Sequence, residues 1–436
     1  MLTGPESAVG ENGGIMSSNH KSPRIFYGWW IVGACFVVAL YMGGIIFYGF
    51  TALFEPFVED FGLSYTQVSF AASLRGMEAG LLTPFIGILV DRWGPRRVIF
   101  SGVIIIVLGL MLLSRTTSLG MFYGAFVLIA IGTSCASSTV TLTAAANWFR
   151  KKVAIATGIV SSGYACSGLM VPLMVKLIDL YGWRDMVVFF ALGLLVVGPL
   201  SALVIRHKPE DYGYLPDGAV NSQAGLAASP NLIQDNEVQV SVRQTLQNRA
   251  FWLIALGILP QFVSVVAVVT HIMPYLSSTG IDRATSGLAA MAIPLFSMGG
   301  RLGFGWLGDK LNKKRLIIAA LAMMASGLVC LELVALVSLG LLAPFFILFC
   351  IGYGGILTVT VALARDYFGR SHLGVVIGLI WGLGNFAGLA GPPAAGWVFD
   401  NWGSYQWVWL GFAVLNIMGA IIMFFLPPAI VPQNKK

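Results

Sequence analysis

The chain has 436 residues, of which 57% are hydrophobic and only 10% are charged. Soluble globular proteins carry about 25% charged residues, so this composition excludes a soluble globular protein, a disordered chain and a coiled coil. At about 20 residues per membrane-spanning helix, plus connections, the chain is long enough for about a dozen spans.

The net charge of +7 does not indicate a nucleic-acid partner, because the Lys and Arg residues sit in short clusters between apolar runs. The five cysteines lie inside apolar stretches without a CxxC pair, and the four histidines are scattered, so we predict neither disulfides nor a metal site. The sequence has no GxxxxGK[ST] phosphate loop, and we expect no cofactor. Since the first 25 or so residues are polar, we expect no cleavable signal peptide.

Twelve apolar segments follow one another, and each is long enough to cross about 30 Å of hydrocarbon as a helix. Their continuous apolar character excludes the alternating pattern of β-barrel strands. The sequence therefore predicts an all-α membrane protein with twelve transmembrane helices. We number them spans 1 to 12, at residues 28–51, 64–90, 97–114, 120–145, 153–177, 184–205, 249–276, 284–309, 315–338, 341–364, 372–399 and 404–427.

The basic residues of the connections predict the orientation in the membrane. If the N-terminus is inside, twenty of the 26 Lys and Arg residues fall in inside connections or tails and four fall outside, while Arg75 and Arg301 lie within spans. Positive residues concentrate in cytoplasmic connections, so both termini are predicted to be cytoplasmic in a multi-pass protein of the cell (plasma or inner) membrane.

The longest connection, residues 206–248, is polar and divides the spans six and six. We therefore predict five regions. They are a cytoplasmic tail at 1–27, a six-helix bundle at 28–205, a cytoplasmic central loop at 206–248, a second six-helix bundle at 249–427 and a cytoplasmic tail at 428–436.

The two bundles repeat each other in sequence. The run GILVDRWGPRR at 87–97 follows span 2, and GWLGDKLNKKR at 305–315 follows span 8, with an offset of 218 for the Gly, the Asp and the final Arg. Phe149 and Phe368 repeat at nearly the same offset. Two parallel six-helix halves, related by an axis along the membrane normal, are one of the repeat patterns of secondary transporters.

The run at 87–97 fits the GxxxD-R/K-xGxxR/K-R/K loop of the major facilitator superfamily at every position, and the chain resembles that family from about residue 27 to 428. Within it the chain resembles the monocarboxylate and oxalate/formate porter branch. The shared runs are YGWW at 27–30, WFRKKVAIATGIVSSG at 148–163, PEDYGYLPDG at 209–218, and the arginine deep in span 8. The resemblance implies a transporter that works by alternating access as a monomer.

The loop after span 2 combines an acid with a cluster of arginines in a short turn made by Gly94 and Pro95. In the superfamily such loops pair with neighbouring helices when the inside is shut, whereas simple topogenic charge is the alternative explanation. We predict a gate that consists of Gly87, Asp91, Arg92, Gly94, Arg96 and Arg97, with Asp309 and Lys310 from the second copy.

Arg301 is predicted to bind the substrate. It lies eight residues before Asp309, which puts it about 12 Å deep, and no acid stands near it on the same helix. A charge at that depth is costly unless it faces a cavity or a partner, and the planar guanidinium suits a carboxylate. The porter branch also places its substrate-binding arginine here. The alternative is a structural pair with an acid from another span.

Four further residues are predicted to line the substrate path. Tyr48, Tyr353 and Asn385 are candidates for the cavity wall, although periodicity does not give their orientation. His271, near the outer end of span 7, titrates near neutral pH and is a candidate for contacting substrate or protons. The alternative for His271 is an ordinary hydrogen-bonded position near an interface.

Arg75 and Glu78 stand three residues apart on one face of span 2. They are either a structural ion pair or a coupling site in which Glu78 takes the proton. Animal monocarboxylate porters resemble one another in a lysine late in span 1 and an aspartate four positions before the span 8 arginine, where this chain has Tyr48 and Ser297. The animal type of proton relay is therefore not expected here.

Residues 380–385 of span 11 also lack the second cation of the oxalate relative. Its absence favours a substrate with one carboxylate group over a substrate with two. We predict a carrier of a small organic anion, a monocarboxylate such as lactate or pyruvate, with proton symport. The alternatives are an anion exchanger of the oxalate/formate type and an exporter of drugs or metabolites. A receptor is disfavoured because the central loop is too short and polar for an added domain. An enzyme is disfavoured because no catalytic constellation is visible.

Overall fold

The computed structural model describes residues 26–149, 152–206, 209, 212, 242–368 and 373–428. Within these ranges the description excludes the side chains of 75–81, 83, 84, 87, 91, 154, 242–244 and 374. Most of the predicted central loop and most of both predicted tails lie outside the described residues. The described part is helical and contains no strand, which confirms the all-α prediction.

All twelve predicted spans are helical. They are Gly28–Met42, Gly43–Tyr48 and Phe50–Phe61 (span 1); Tyr65–Leu81 and Thr83–Trp93 (2); Pro95–Ser114 (3); Leu119–Cys135 and Ser138–Ala146 (4); Val153–Cys166, Ser167–Leu169 and Met170–Tyr181 (5); Trp183–Val204 (6); Arg249–Ser278 (7); Arg283–Lys310 (8); Lys313–Leu336 (9); Leu339–Leu341, Leu342–Phe345, Phe346–Cys350 and Ile351–Phe368 (10); Leu373–Gly388 and Gly391–Trp402 (11); and Gln406–Phe424 (12). A short helix, Val242–Gln247, precedes span 7.

Eleven of these helical spans in the described residues are long and apolar enough to cross a membrane. Span 2 includes residues whose side chains lie outside the described part. The chain is thus a multi-pass membrane protein.

Span 1 ends at Phe61, whereas the sequence pattern predicted an end at residue 51. The extension carries acids, which made it resemble a loop. It stays helical because its apolar face, including the fully buried Phe54 and Phe57, packs into the bundle, with the Phe57 ring 5.0 Å from that of Trp183. Gly62, at φ +61°, then ends the helix in the left-handed conformation that glycine adopts without strain.

The spans pack in two equivalent sets, which we call the N-half (spans 1–6) and the C-half (spans 7–12). Spans 1 and 5, 2 and 4, and 3 and 6 pack together in the N-half, as do 7 and 11, 8 and 10, and 9 and 12 in the C-half. Between the halves, span 1 meets span 7, span 2 meets span 11, and span 5 meets span 8. Adding six to every span number converts one set of contacts into the other, which is the pseudo-symmetry that the sequence repeat predicted.

We call the face where span 1 begins the basal face and the opposite one the distal face. The described hydrogen bonds between the halves lie in the middle or toward the distal face. They include the bonds from the Met273 amide to the Thr51 hydroxyl (3.2 Å), from Arg283 to the Ala52 carbonyl (2.7 Å) and from the Ser73 hydroxyl to the Leu389 carbonyl (2.6 Å). In the described part of the chain, the halves are therefore joined across the distal face.

Candidate functional site

Arg301 lies in the continuous helix of span 8, nine residues before its end at Lys310, which is about 13.5 Å along the axis. The side chain is half-buried, and its Nε is buried without a hydrogen-bond partner. The described salt bridges lie elsewhere, at Arg184–Asp60, Arg283–Asp179 and Lys313–Asp366. Among the side chains that the structure describes, Arg301 is thus a deeply placed cation without an anion.

Two tyrosines accompany Arg301. The hydroxyl groups of Tyr48 and Tyr353 lie within electrostatic range of each other, and Tyr48 also lies within electrostatic range of Arg301. Both tyrosines are buried. Because Tyr48 belongs to the N-half and the other two residues to the C-half, this group joins the two halves in the interior. We call these three residues the central site.

A π-helical stretch lies at or just before each tyrosine of the central site. In span 1 it covers Gly43–Tyr48 and ends on the tyrosine itself, and in span 10 it covers Phe346–Cys350, just before Tyr353. Such stretches insert an additional residue into a helical turn and are frequent at functional sites. They also rotate the side chains that follow, which is why helical periodicity did not predict where these tyrosines point.

Close backbone contact between spans 8 and 10 fixes the C-half part of the central site. A Cβ added to Gly300 would overlap the carbonyl oxygen of Ile351, and one added to Gly354 would overlap that of Ser297. Arg301 follows the first glycine and Tyr353 precedes the second. Their relative position is therefore determined by contact of two backbones, with no side chain between them.

Asn385 is half-buried on span 11, next to Gly384, whose backbone packs against the ring of Phe262 in span 7. None of the described contacts joins Asn385 to the central site. Its position in the cavity wall stays a prediction.

His271 lies in the contact between the halves toward the distal face. Its ring is fully buried, with Nδ1 2.9 Å from the Tyr405 hydroxyl, and with Nε2 3.0 Å from both the Pro392 carbonyl and the Ser69 hydroxyl. A carbonyl only accepts, so Nε2 carries the hydrogen and Nδ1 accepts from Tyr405. All of its hydrogen-bonding capacity is used within the protein. A role in contacting substrate or protons stays a prediction.

The loop after span 2 forms the predicted turn. Gly94, at φ +78°, ends the helix with its N–H 2.9 Å from the Val90 carbonyl, and Pro95 begins span 3. Only glycine adopts this φ without strain. Arg92, Arg96 and Arg97 are exposed, whereas the side chains of Gly87 and Asp91 lie outside the described part.

In the second copy of the loop, Asp309 is exposed, and the Nζ of Lys310 lies 3.8 Å from the centre of the Trp306 ring. The gating role of both loops stays a prediction. Arg75 and Glu78 belong to the helix Tyr65–Leu81, but their side chains lie outside the described part. No cluster of His, Cys, Asp and Glu that would hold a metal ion occurs in the described residues.

Sequence reasoning missed several residues of the contact between the halves. Ser69, Tyr405 and Asp400 bond across or beside the junction of spans 2, 7 and 11, and Cys350 lies in electrostatic range of Tyr48. Asp400 offered a sequence signal, because it is an acid near the end of an apolar segment, but an acid at such a position usually lies in solvent.

The family model of the Major Facilitator Superfamily matches residues 30–352 and 272–436. Monocarboxylate transporter 12-B of Danio rerio is 25% identical over 418 residues, covering 89% of this chain and 85% of the relative. Monocarboxylate transporter 12 of Xenopus laevis is 26% identical over 91% of this chain and 89% of its own length. Monocarboxylate transporter 13 of Rattus norvegicus is 24% identical over 92% and 89%.

Solved structures of transporters share the fold. The D-xylose–proton symporter superimposes with a TM-score of 0.71 at 14% identity, covering 93% of this chain and 99% of that chain. A bacterial homolog of the human lysosomal transporter Spinster, inward-facing and unoccupied, superimposes with a TM-score of 0.69 at 15% identity, covering 92% and 95%. At these identities the likeness establishes the twelve-helix fold and nothing about the substrate.

Proposed function

Since the chain belongs to the major facilitator superfamily, we propose that it is a secondary active transporter that moves a small organic anion by alternating access. The proposed substrate is a monocarboxylate such as lactate or pyruvate, carried together with a proton. The observation that carries this proposal is Arg301, a deep cation without an anion among the described side chains. The names of the monocarboxylate transporter relatives support the same substrate class.

The chemistry of the central site suits one carboxylate. A guanidinium donates two parallel hydrogen bonds to the two oxygens of a carboxylate, and such charge-assisted bonds are stronger than neutral ones. The hydroxyls of Tyr48 and Tyr353 supply further hydrogen bonds beside it. With one cation and no second one in residues 380–385, a monoanion is neutralised, whereas a dianion would leave a net negative charge.

Because the central site takes Tyr48 from one half and Arg301 from the other, a bound anion contacts both halves. A ligand shifts a conformational equilibrium only by its difference in affinity between the two states. We propose that the anion binds both halves most tightly in an intermediate, occluded arrangement, which lowers the barrier between the two open states.

We propose that the basal face is cytoplasmic, so that both termini lie on the cytoplasmic side of the cell membrane. The distal face, where the halves are joined, is then the external one. The halves 28–205 and 249–427 would then be linked by a cytoplasmic loop at 206–248. Gly225→Cys tests this with a membrane-impermeant thiol reagent applied to intact cells that express a variant without the five native cysteines. Labelling from outside would refute the orientation.

Substrate counterflow in proteoliposomes tests the function directly. Liposomes are loaded with lactate, pyruvate, formate, acetate, oxalate or a neutral sugar, and accumulation of the labelled compound is followed. We expect counterflow with lactate or pyruvate, and none with the sugar. Oxalate exchange in the absence of lactate exchange would favour the exchanger alternative. Transport restricted to large apolar compounds would favour an exporter.

A further inference from the structure

Asp400, at the distal end of span 11, bonds to the start of span 2 in the other half. Its Oδ1 accepts a hydrogen bond from the Tyr65 amide (2.9 Å), and its Oδ2 accepts from the amide (2.8 Å) and the hydroxyl (2.5 Å) of Thr66. The first amides of a helix have no partner within the helix. Asp400 therefore caps the first two amides of span 2 from 335 residues away in sequence, while Ser64 and Gln67 form a local capping box at the same helix start.

Other helices of the described part receive their caps from their own half. Asp282 accepts a hydrogen bond from the Thr285 amide at the start of span 8 (2.9 Å), and Asn248 and Asn312 cap spans 7 and 9 in the same way. Span 2 thus differs from these in having a second cap, from Asp400, that comes from across the junction between the halves.

The backbones of spans 2 and 11 meet directly beneath this cap. A Cβ added to Gly396 would lie 2.7 Å from both the Ser69 hydroxyl and the Tyr65 carbonyl, and the ring of Tyr65 lies 4.3 Å from that of Phe399. One turn further in, Ser69 meets the buried ring of His271. Asp400 itself is exposed, so it closes this contact from the solvent side.

We propose that Asp400 is the lock of the distal face, a gating residue whose carboxylate caps span 2 only while that face is shut. When the face opens, Asp400 and the two amides separate and each is hydrated. Removing the carboxylate therefore destabilises the shut state and leaves the open state unchanged. The consequence for transport rests on the proposed alternating-access function, but the opening of the face is measurable without any substrate.

The expected effect is that of a lost helix cap. Replacing an acidic N-cap by alanine typically shifts a helix equilibrium by a factor of about two to thirty. Asp400→Ala should raise the ratio of open to shut distal faces by that factor. Asp400→Asn keeps one oxygen acceptor but loses the charge, so it should shift the ratio in the same direction by a smaller factor.

The reporter is Ser73→Cys, in a background without the five native cysteines. Ser73, on span 2, is 5% exposed and its hydroxyl bonds the Leu389 carbonyl of span 11. A thiol at this position therefore reacts only when the distal face opens. In nanodiscs, the rate of reaction with a water-soluble maleimide is proportional to the open population, even when that population is small. Asp282→Ala is the matched control, because it removes an acidic cap from a helix at the same face within one half.

We expect Asp400→Ala to raise the labelling rate about two- to thirtyfold, and Asp282→Ala to leave it unchanged. An unchanged rate in Asp400→Ala overturns the lock, and so does an equal rise in both variants, which would indicate general loosening. If Asp400→Ala does not fold, Asp400→Asn decides between the same outcomes. Faster labelling combined with an absence of anion counterflow would uphold the lock and refute the proposed substrate.

Discussion

Gly354 of span 10 faces Ser297 of span 8 so closely that an added Cβ would overlap the Ser297 carbonyl oxygen. The neighbouring Gly300 stands in the same relation to the backbone of Ile351. These contacts leave no room for adjustment between the helices that carry Arg301 and Tyr353. The geometry of the central site therefore depends on the absence of side chains at Gly300 and Gly354.

Gly300→Ala should destabilise the protein, because overpacking of this kind typically costs about 1–3 kcal/mol. The matched control is Gly299→Ala on the same helix, where an added Cβ meets nothing within 4 Å. Thermal unfolding in detergent compares the two. Since alanine is the better helix former, the control should be neutral or slightly stabilising. Equal destabilisation by both substitutions would show that the contact is not what matters.

Arg301→Ala should abolish transport, and Arg301→Lys should fail to restore it. Lysine keeps the charge but lacks the planar fork that bonds both oxygens of a carboxylate. A lost charge-assisted hydrogen bond costs roughly 1.5–3 kcal/mol, or about ten- to a hundredfold in affinity. Binding and counterflow are measured in one liposome preparation, with unfolding followed in parallel. Wild-type behaviour of the lysine variant would make Arg301 a general electrostatic element.

Tyr48→Phe and Tyr353→Phe should each weaken substrate binding about two- to tenfold, the usual effect of losing one neutral hydrogen bond. Because the two hydroxyls lie within electrostatic range of each other, the double variant should lose less affinity than the sum of the single effects. The control is Tyr41→Phe, because the Tyr41 hydroxyl donates a hydrogen bond to the Phe190 carbonyl within the N-half. Strict additivity in the double-mutant cycle would contradict a coupled pair.

Glu78→Gln should abolish uptake driven by a pH gradient and retain exchange of substrate, because exchange requires no net proton movement. Glu332→Gln is the control, since Glu332 is a buried acid of span 9 in the other half. Both activities are measured in the same proteoliposomes. Loss of exchange as well as uptake, together with lower stability, would instead support a structural ion pair between Glu78 and Arg75.

Asp91→Asn should slow transport while leaving the equilibrium affinity for substrate within a few-fold of wild type. The predicted role of the loop is to set the energy of one conformation, and it does not require contact with the ligand. Asp366→Asn serves as a control at the basal face, because Asp366 pairs with Lys313 within one half. A large loss of affinity with a normal exchange rate would contradict this role.

The sequence alone determined the class of the protein, its twelve spans, its internal repeat and the arginine at its centre. These properties depend on composition and on spacing along the chain, which are local quantities. An apolar run of 20 residues predicts a span wherever it packs, and a charge within such a run is informative on its own. The turn at Gly94 and Pro95 was equally readable, because glycine and proline restrict the backbone directly.

Tertiary structure decided which side chains meet. Spans that are apolar all round have no polar face to indicate their orientation, and the π-helical stretches that end at Tyr48 and precede Tyr353 change the direction of side chains along these helices. Placing Asp400 on the first turn of span 2 and His271 against Ser69 requires the halves to come together. Contacts between residues hundreds of positions apart are set by helix packing, which hydropathy along the chain does not predict.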